Sequence, residues 1–231
     1  MEKDITYFER PGKINTPRVI KLAKMRAGES GIADIIVASL TGESALKVAE
    51  VFGEQMNIVC VRFIPGASWS VTDEYGAYDE IPELLEIKRE WVKKGLERIP
   101  IEFSPGIEDE LRRRKVRIIG GTPTLWNVDR SLMKKFGGFS LTEVMNETLR
   151  LFCPGARVCV EITLMAADAG AVPTNSEAIA LAGTERGLDT AIVIKPSLST
   201  KIFDRYDGLE IREFICKPRS MVSRSGRFIG R

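Results

Sequence analysis

Short apolar runs that alternate with helical segments constrain the fold of this chain most strongly. The run DIIVA at 34–38 is apolar after its first residue, which is typical of strands covered on both faces. In the next segment, 44–52, apolar residues recur at i, i+3, i+4 and i+7 from Ala45, the spacing of one helix face. A second strand-like run, NIVCVRF, follows at 57–63. This order of strand, helix and strand predicts an α/β domain with a parallel sheet.

The same patterns predict the other strands and helices. Further strands are expected at 115–121, 177–182 and 190–196. Further helices are expected at 14–31, 82–95, 107–115, 140–152 and 156–170, from apolar spacing and end signals. Ser140 and Glu143 have the spacing of a capping box at the start of the fourth of these. Its predicted buried face comprises Leu141, Val144, Met145, Leu149 and Phe152.

Composition limits the possible chemistry. The chain has 231 residues, enough for one large domain, and its net charge is only +2, so no global field draws it to nucleic acid or to a membrane. It contains no histidine, which excludes Ser-His and Cys-His nucleophilic catalysis and histidine-based metal sites. An enzyme built on this sequence would need carboxylates, lysine, hydroxyls or a cofactor.

The cysteines and the apolar runs point to a reduced, cytoplasmic setting. Cys60, Cys159 and Cys216 lie in apolar segments and no CxxC pair occurs, so we expect free buried thiols and no metal site. The apolar runs are too short to span a bilayer. The first residues, MEKDITYFERPGK, are charged throughout and do not resemble a signal peptide. We therefore expect a cytoplasmic protein with no membrane partner.

Three polar turns follow predicted strands. They are SLTGES at 39–44, GGTPT at 120–124 and GTERGLDT at 183–190. Because ligands bind beyond the carboxyl ends of parallel strands, we expect these turns to converge on one edge of the sheet.

The first turn has the features of a phosphate site. Gly42 permits close backbone approach, and the helix that starts here directs its free N–H groups at the turn. Hydroxyl donors are supplied by Ser39, Thr41 and Ser44. Glu43 opposes an anion and would have to point away from it. The pattern is neither a Walker loop nor GxGxxG, so a plain strand-to-helix turn is the alternative.

The turn at 183–190 offers similar groups. Gly183 and Gly187 flank Arg186, whose guanidinium provides a fixed positive charge for a phosphate or a carboxylate. Thr184 and Thr190 add hydroxyls. The alternative is a tight connection between two strands, with Arg186 exposed to solvent.

Other candidate groups are less specific. Glu161 and Asp168 share a predicted helix face, as a carboxylate pair or as boundary charges with salt-bridge partners. Trp91 is expected to pack on its own domain, with an oligomer interface as the alternative. Residues 220–231 are basic and are expected to form a mobile tail, with binding of RNA or a partner as the alternative.

The quoted patterns resemble a known fold. DIIVASLTGESALKVAEVF resembles the strand, Ser/Thr–Gly turn and helix of the carboxyl-terminal domain of pyruvate kinase, and VEITLMAADAGAVPTNSEAIALAGTERGLDTAIVIKP resembles its closing section. ITYFERPGKINT, KKFGGFSLTEV and REFICKPR resemble the stand-alone archaeal and bacterial proteins built on this domain alone. The resemblance covers most of residues 4–219 and is weakest at 64–115.

The resemblance implies a single domain over 1–219, a three-layer α/β/α sandwich with a mostly parallel five-stranded sheet. It implies no pyruvate kinase activity, because the catalytic barrel of that enzyme has no counterpart in this sequence. It does imply a phosphorylated small molecule, either flavin mononucleotide (FMN) or a sugar or nucleotide phosphate. The implied ligand-binding residues are Ser39, Thr41, Gly42, Glu43, Ser44, Thr122, Thr124, Gly183, Thr184, Arg186, Gly187 and Thr190. Trp126 either stacks on a flavin ring or packs in the core.

Three functional hypotheses follow. The first is a protein, with a regulatory role, that binds a phosphorylated ligand between the turns at 39–44 and 183–190. The second is a flavin-dependent enzyme, in which the cofactor supplies the reactivity that a histidine-free chain lacks. The third is a homo-oligomeric interaction module, because the resembled domain contributes to subunit contacts in pyruvate kinase.

Overall fold

Strands and helices alternate along the part of the chain that the computed structural model describes, residues 2–71, 82–125 and 128–220. The strands in these ranges are β1 Thr6–Phe8, β2 Asp34–Ala38, β3 Asn57–Arg62, β4 Ser68–Ser70, β5 Arg98–Pro100, β6 Arg117–Gly120, β7 Ala178–Ala182, β8 Thr190–Lys195 and β9 Glu210–Pro218. The α-helices are α1 Thr16–Ser30, α2 Glu43–Phe52, α3 Pro82–Lys93, α4 Ile107–Arg113, α5 Val128–Phe136, α6 Leu141–Arg150 and α7 Pro154–Asp168.

Seven strands form one sheet in the order β1-β9-β8-β7-β2-β3-β6. Strand β2 pairs in parallel with β3 and β7, β3 pairs in parallel with β6, and β1 pairs in parallel with β9. Strand β8 is antiparallel to both of its neighbours, β7 and β9. The sheet is therefore mostly parallel, as predicted, but the expectation of five strands is wrong because the sheet has seven.

The two additional strands, β1 and β9, lack the apolar run that marks the other five. Strand β1 is three residues long, and β9 mixes charged and apolar residues in EIREFICKP. Strand β1 pairs through Thr6 with Cys216 of β9. This pairing joins distant parts of the chain, so no local sequence pattern contains it.

Helices cover both faces of the sheet. Successive strand residues point to opposite sides, so each central strand contributes apolar side chains to both faces. Ile35 and Val37 of β2 pack in the cluster that contains α1 and α2 residues. Ile36 packs on the opposite side with residues of α7. Strand β7 is buried at every position, which explains its continuous apolar run.

Local signals define the helix ends where we expected them. Helix α1 has Pro17 in its first turn and ends at Gly31, whose φ of 66° is left-handed and favours glycine. At the start of α6, the Glu143 N–H donates to Ser140 Oγ at 3.1 Å. This bond confirms the N-terminal cap predicted from the sequence.

The predicted buried face of α6 is confirmed only in part. Met145 and Leu149 pack against the core, but Leu141, Val144 and Phe152 are 78%, 50% and 49% exposed. Asn146, a polar residue, is buried instead. The apolar residues of α6 share one broad face, and the core covers only the part of that face that carries Met145 and Leu149.

Residues between β3 and β6 build a small second cluster. Trp69 of β4 and Trp91 of α3 stack with their ring centroids 6.2 Å apart, and Leu40 of the β2–α2 loop packs against them. Trp91 therefore packs on its own chain, as expected. This cluster lies in the 64–115 region, where the resemblance is weakest.

Two other expectations concern the whole chain. The four cysteines are free and buried, as predicted. Among the helices of the described ranges, none combines the length and the apolar composition needed to cross a membrane.

Gly155, in the first turn of α7, provides a test of how this helix packs on β8. A Cβ at this position would lie 2.5 Å from the Thr190 Cβ and 3.1 Å from Asp189 Oδ1. We expect Gly155→Ala to lower the free energy of unfolding by about 2 kcal/mol, because overpacking forces neighbouring atoms apart. Urea denaturation measures this change.

Gly28→Ala is the matched control, because Gly28 is also helical but a Cβ there meets no described atom within 4 Å. We expect this change to raise the free energy of unfolding by about 0.5–1 kcal/mol through helix propensity. A stabilised or unchanged Gly155→Ala protein would contradict the packing of α7 on β8.

Candidate functional site

A cavity of about 410 Å³ lies at the sheet edge where β2, β3 and β7 end. This volume lies within the range of small-molecule sites. The β2–α2 loop and the β7–β8 loop form two of its walls, and α7 forms a third. Lys13 and Thr16, at the start of α1, complete the rim. The predicted turns 39–44 and 183–190 therefore meet at one edge of the sheet.

The β2–α2 loop gives the cavity its hydroxyl groups. Ser39, Thr41 and Ser44 all line it. Gly42 has a different role, because its φ is +86° and a Cβ there would collide with the Ile107 side chain. Glycine is thus required by close packing against α4. From the sequence, Gly42 was expected to let a ligand approach the backbone closely.

Glu43, the residue that seemed to oppose an anion, is held by a basic partner. Its Oε2 lies 2.8 Å from Lys13 Nζ. The hydrogen bond from Lys13 holds the pKa of Glu43 below its usual value, and the charges of Lys47 and Arg186 lower it further. Glu43 is therefore ionised and paired, and its charge does not prevent an anion from binding beside it.

Asp189 holds the β7–β8 loop in place through buried hydrogen bonds. Its fully buried carboxylate accepts hydrogen bonds from the Gly12 N–H at 2.9 Å and the Thr184 N–H at 3.0 Å. The Thr190 hydroxyl donates to the other oxygen at 2.8 Å. Burial raises the pKa of Asp189, and these hydrogen bonds oppose the shift. Thr190, a predicted ligand-binding residue, is thus placed behind the loop as part of its support.

Close contacts clamp the β7–β8 loop to the start of α1. Gly187 has φ of +75°, and a Cβ there would lie 2.5 Å from the Lys13 Cα and 2.7 Å from Thr16 Oγ1. The Leu188 N–H donates to Thr16 Oγ1 at 2.9 Å. Gly183 is equally constrained, because a Cβ there would lie 3.0 Å from the Leu188 Cα. The clamp brings Lys13 to the cavity rim.

Two residues of this loop present unusual polar groups to the cavity. Thr184 is buried. Its hydroxyl lies near enough to Asp189 to lower the pKa of that carboxyl group, yet it makes no well-formed hydrogen bond within the described ranges. Glu185 has φ of +59°, a strained conformation for a residue with a side chain. Burial raises the pKa of Glu185, and nearby arginines, chiefly Arg150, oppose the shift.

Arg186 joins the β7–β8 loop to the tryptophan cluster. Its guanidinium carbon lies 5.5 Å from the Trp69 ring centroid and 5.6 Å from that of Trp91. Both distances are in the range of cation–π contacts. Arg186 and Trp69 line the cavity together, so this arginine is not merely a solvent-exposed loop residue.

A buried ion pair forms part of the α7 wall. Arg157 Nη1 lies 2.8 Å from Glu161 Oε2, and both side chains are largely buried. The Leu125 N–H also donates to Glu161 at 3.3 Å. Burial raises the pKa of Glu161 and lowers that of Arg157, and each partner's charge opposes the other's shift.

Some predicted residues do not come together. The cavity wall in the described ranges includes Pro123 but neither Thr122 nor Thr124. Asp168 accepts a hydrogen bond from the Ser199 N–H at 2.9 Å, so it forms no carboxylate pair with Glu161. Trp126 lies outside the described residues, as do residues 221–231 of the basic tail.

The cavity is lined by six basic and three acidic side chains. Five of these basic groups had no sequence signal as site residues, because an isolated Lys or Arg on a helix or turn normally faces solvent. They are Lys13, Lys47, Arg62, Arg150 and Arg157. The ion pair with Glu43 joins Lys13 to a distant segment, whereas Arg157 pairs with Glu161 one turn later in the same helix.

Comparison with known protein families finds none that matches the chain. Within residues 2–71, 82–125 and 128–220, no three Cys, Asp or Glu side chains are grouped so as to hold a metal ion. What the site can bind is therefore inferred from its geometry alone.

Asp189→Ala tests how the loop is supported. We expect the free energy of unfolding to fall by about 2–3 kcal/mol, because the buried Gly12 and Thr184 N–H groups lose their acceptor. Urea denaturation measures the loss, and hydrogen exchange at these two amides should become faster.

Asp168→Ala is the control for this change, since Asp168 accepts one backbone hydrogen bond at an exposed position. We expect it to cost less than about 1 kcal/mol. Equal losses in the two variants would show that Asp189 has no special supporting role.

Proposed function

We propose that this protein binds a phosphorylated small molecule in the cavity between the β2–α2 and β7–β8 loops. The observation that carries the proposal is the positive balance of the lining charges, six basic side chains against three acidic ones, beside the amino end of α2. Backbone N–H groups at a helix start and basic side chains together favour a bound phosphate.

The proposal assigns the phosphate to the rim of the cavity. Thr41 and Ser44 supply hydroxyls there, and Lys47 and Arg186 supply positive charge. Glu43 does not cancel the charge of these two residues, because Lys13 pairs with Glu43 at 2.8 Å.

The remaining walls favour a ligand with a flat or apolar part as well as a phosphate. Trp69, Phe63 and Met165 line the cavity. The buried Thr184 hydroxyl, which lacks a well-formed hydrogen bond within the described ranges, provides a donor or acceptor for a ligand polar atom. We therefore propose FMN, or a sugar or nucleotide phosphate, as the ligand class. A bound flavin would supply redox chemistry.

A regulatory role is part of the proposal. A ligand in this cavity would touch the β2–α2 loop, the β7–β8 loop and Trp69 at once. These segments come from distant parts of the chain, so a ligand that binds all three stabilises their joint arrangement. Regulation by ligand needs such a differential effect on conformation.

Isothermal titration with FMN, riboflavin and ribose 5-phosphate tests the proposal. We expect at least one phosphorylated probe to bind, and we expect riboflavin to bind at least about tenfold more weakly than FMN, since it lacks the phosphate that basic side chains recognise. Equal affinities for FMN and riboflavin, or no binding of either phosphorylated probe, would contradict the proposal.

Thr41→Ala with Arg186→Ala is the matched variant for the same titrations, and we expect it to abolish binding of the phosphorylated probe. Thr200→Ala with Arg18→Ala is its control, because both residues are exposed and lie outside the cavity wall. Thermal unfolding of each variant separates lost affinity from lost fold.

A further inference from the structure

Two consecutive residues of the β7–β8 loop, Thr184 and Glu185, line the cavity with polar groups that are not satisfied by the described chain. The Thr184 hydroxyl is buried and forms no well-formed hydrogen bond within residues 2–71, 82–125 and 128–220. Across the same ranges, the Glu185 carboxyl group lies near three arginines but is joined to none of them by a hydrogen bond or a salt bridge. Polar groups withdrawn from water normally have such partners. This wall is therefore suited to polar atoms of a ligand.

The backbone of Glu185 gives a second, independent observation. Its φ of 59° lies in the left-handed region, which glycine tolerates and a residue with a Cβ does not favour. Among the non-glycine residues that the structure describes, only Lys115 shares this conformation. Gly187, in the same loop, shows that the loop uses glycine at another positive φ. Backbone strain of this kind is concentrated at ligand-binding sites, so the Glu185 side chain is a candidate for a role in binding.

The α7 side of the cavity is close to neutral. Helices α2 and α7 cover opposite faces of the sheet, and both line the cavity, so a ligand there reaches from one face to the other. On the α7 side, Arg157 pairs with Glu161 at 2.8 Å. The charge of Arg150 acts on Glu185 more strongly than that of any other arginine. Two basic groups thus lie beside two acidic groups.

The excess positive charge of the cavity lies nearer to α2. With Lys13 paired to Glu43, the remaining basic groups of the wall are Lys47, Arg62 and Arg186. Lys47 belongs to α2, and the charges of Lys47 and Arg186 both act on Glu43 in the first turn of that helix. A phosphate is therefore favoured on the α2 side, and the rest of the ligand extends towards α7.

Charge balance decides which chemical groups the α7 side accepts. A second anion there would face Glu161 and Glu185, and a cation would face Arg150 and Arg157, so each would meet like charge. An uncharged group that both donates and accepts hydrogen bonds meets no such opposition. Guanidinium groups donate hydrogen bonds, and carboxyl oxygens accept them. The hydroxyls of a sugar, or the N–H and C=O groups of an amide or a base, supply both.

We propose that Glu185 determines which phosphorylated ligands bind in this cavity. Its carboxyl oxygen accepts a hydrogen bond from a hydroxyl or N–H group at the end of the ligand that is distant from the phosphate. The inference rests on the proposed function, because the phosphate on the α2 side directs that end towards α7. It narrows the ligand class to monophosphates with an uncharged polar end. It excludes bisphosphates, whose second phosphate would face Glu161 and Glu185.

Glu185→Gly tests this role, because it removes the carboxyl group at a position where glycine tolerates the backbone conformation. In calorimetric titrations, each of FMN and ribose 5-phosphate that binds the wild-type protein should bind this variant at least about tenfold more weakly, through loss of a hydrogen bond to a charged group. The melting temperature of the ligand-free variant should equal or exceed that of the wild type, since the backbone strain at φ 59° is relieved.

Ribose 1,5-bisphosphate separates a selective role of Glu185 from a purely structural one. The wild-type protein should bind it more weakly than it binds ribose 5-phosphate. Glu185→Gly should reduce or reverse this preference, because one of the two acids that face the second phosphate is removed. A variant whose loop is merely distorted would lose affinity for both ligands alike.

Lys115→Gly is the matched control, because Lys115 has the same φ of 59° but is exposed and lies outside the cavity wall. We expect it to leave the affinity for both monophosphates unchanged. Unchanged affinity or a lower melting temperature in Glu185→Gly, an equal loss of affinity in Lys115→Gly, or a wild-type preference for the bisphosphate would overturn this inference and leave the proposed function intact. Failure of the wild-type protein to bind either monophosphate would overturn both.

Discussion

Burial of the central strands on both faces is the constraint on which the rest of the structure depends. Strands β2, β3 and β7 are parallel neighbours, so their carboxyl ends meet at one edge of the sheet. Helices cover the two faces, and the polar residues that follow each strand can reach solvent only at that edge. The cavity lies there because the topology leaves no other place for these turns. The reversal of β8 keeps the β7–β8 connection short and on the same edge.

The shape of the cavity depends on contacts that do not themselves face a ligand. Asp189 is buried and fixes Gly12 and Thr184 through backbone hydrogen bonds. Gly187 lets the loop lie directly against the start of α1. A buried carboxylate is costly unless it is satisfied by donors, and these donors belong to two distant parts of the chain. Support of the loop and recruitment of Lys13 are therefore consequences of the same interaction.

The α6 helix connects the cavity with an exposed apolar surface. Its exposed side carries Leu141 and Val144, and its last residue, Arg150, lines the cavity. Arg150 also lies near Glu147 of the same helix, at 3.3 Å.

The sequence alone determined the features that depend on local pattern. Five apolar runs became the five predicted strands, the Ser140 cap formed, and the turns at 39–44 and 183–190 line one cavity, to which the third turn adds only Pro123. What only the tertiary structure decided depends on contacts between distant segments. The β1–β9 pairing, the position of Lys13 and the stacking of Trp69 on Trp91 all join such segments. Apolar spacing marked Leu141 and Val144 as buried, but spacing reports only that a face avoids water, and it cannot say whether the same chain or another one covers it.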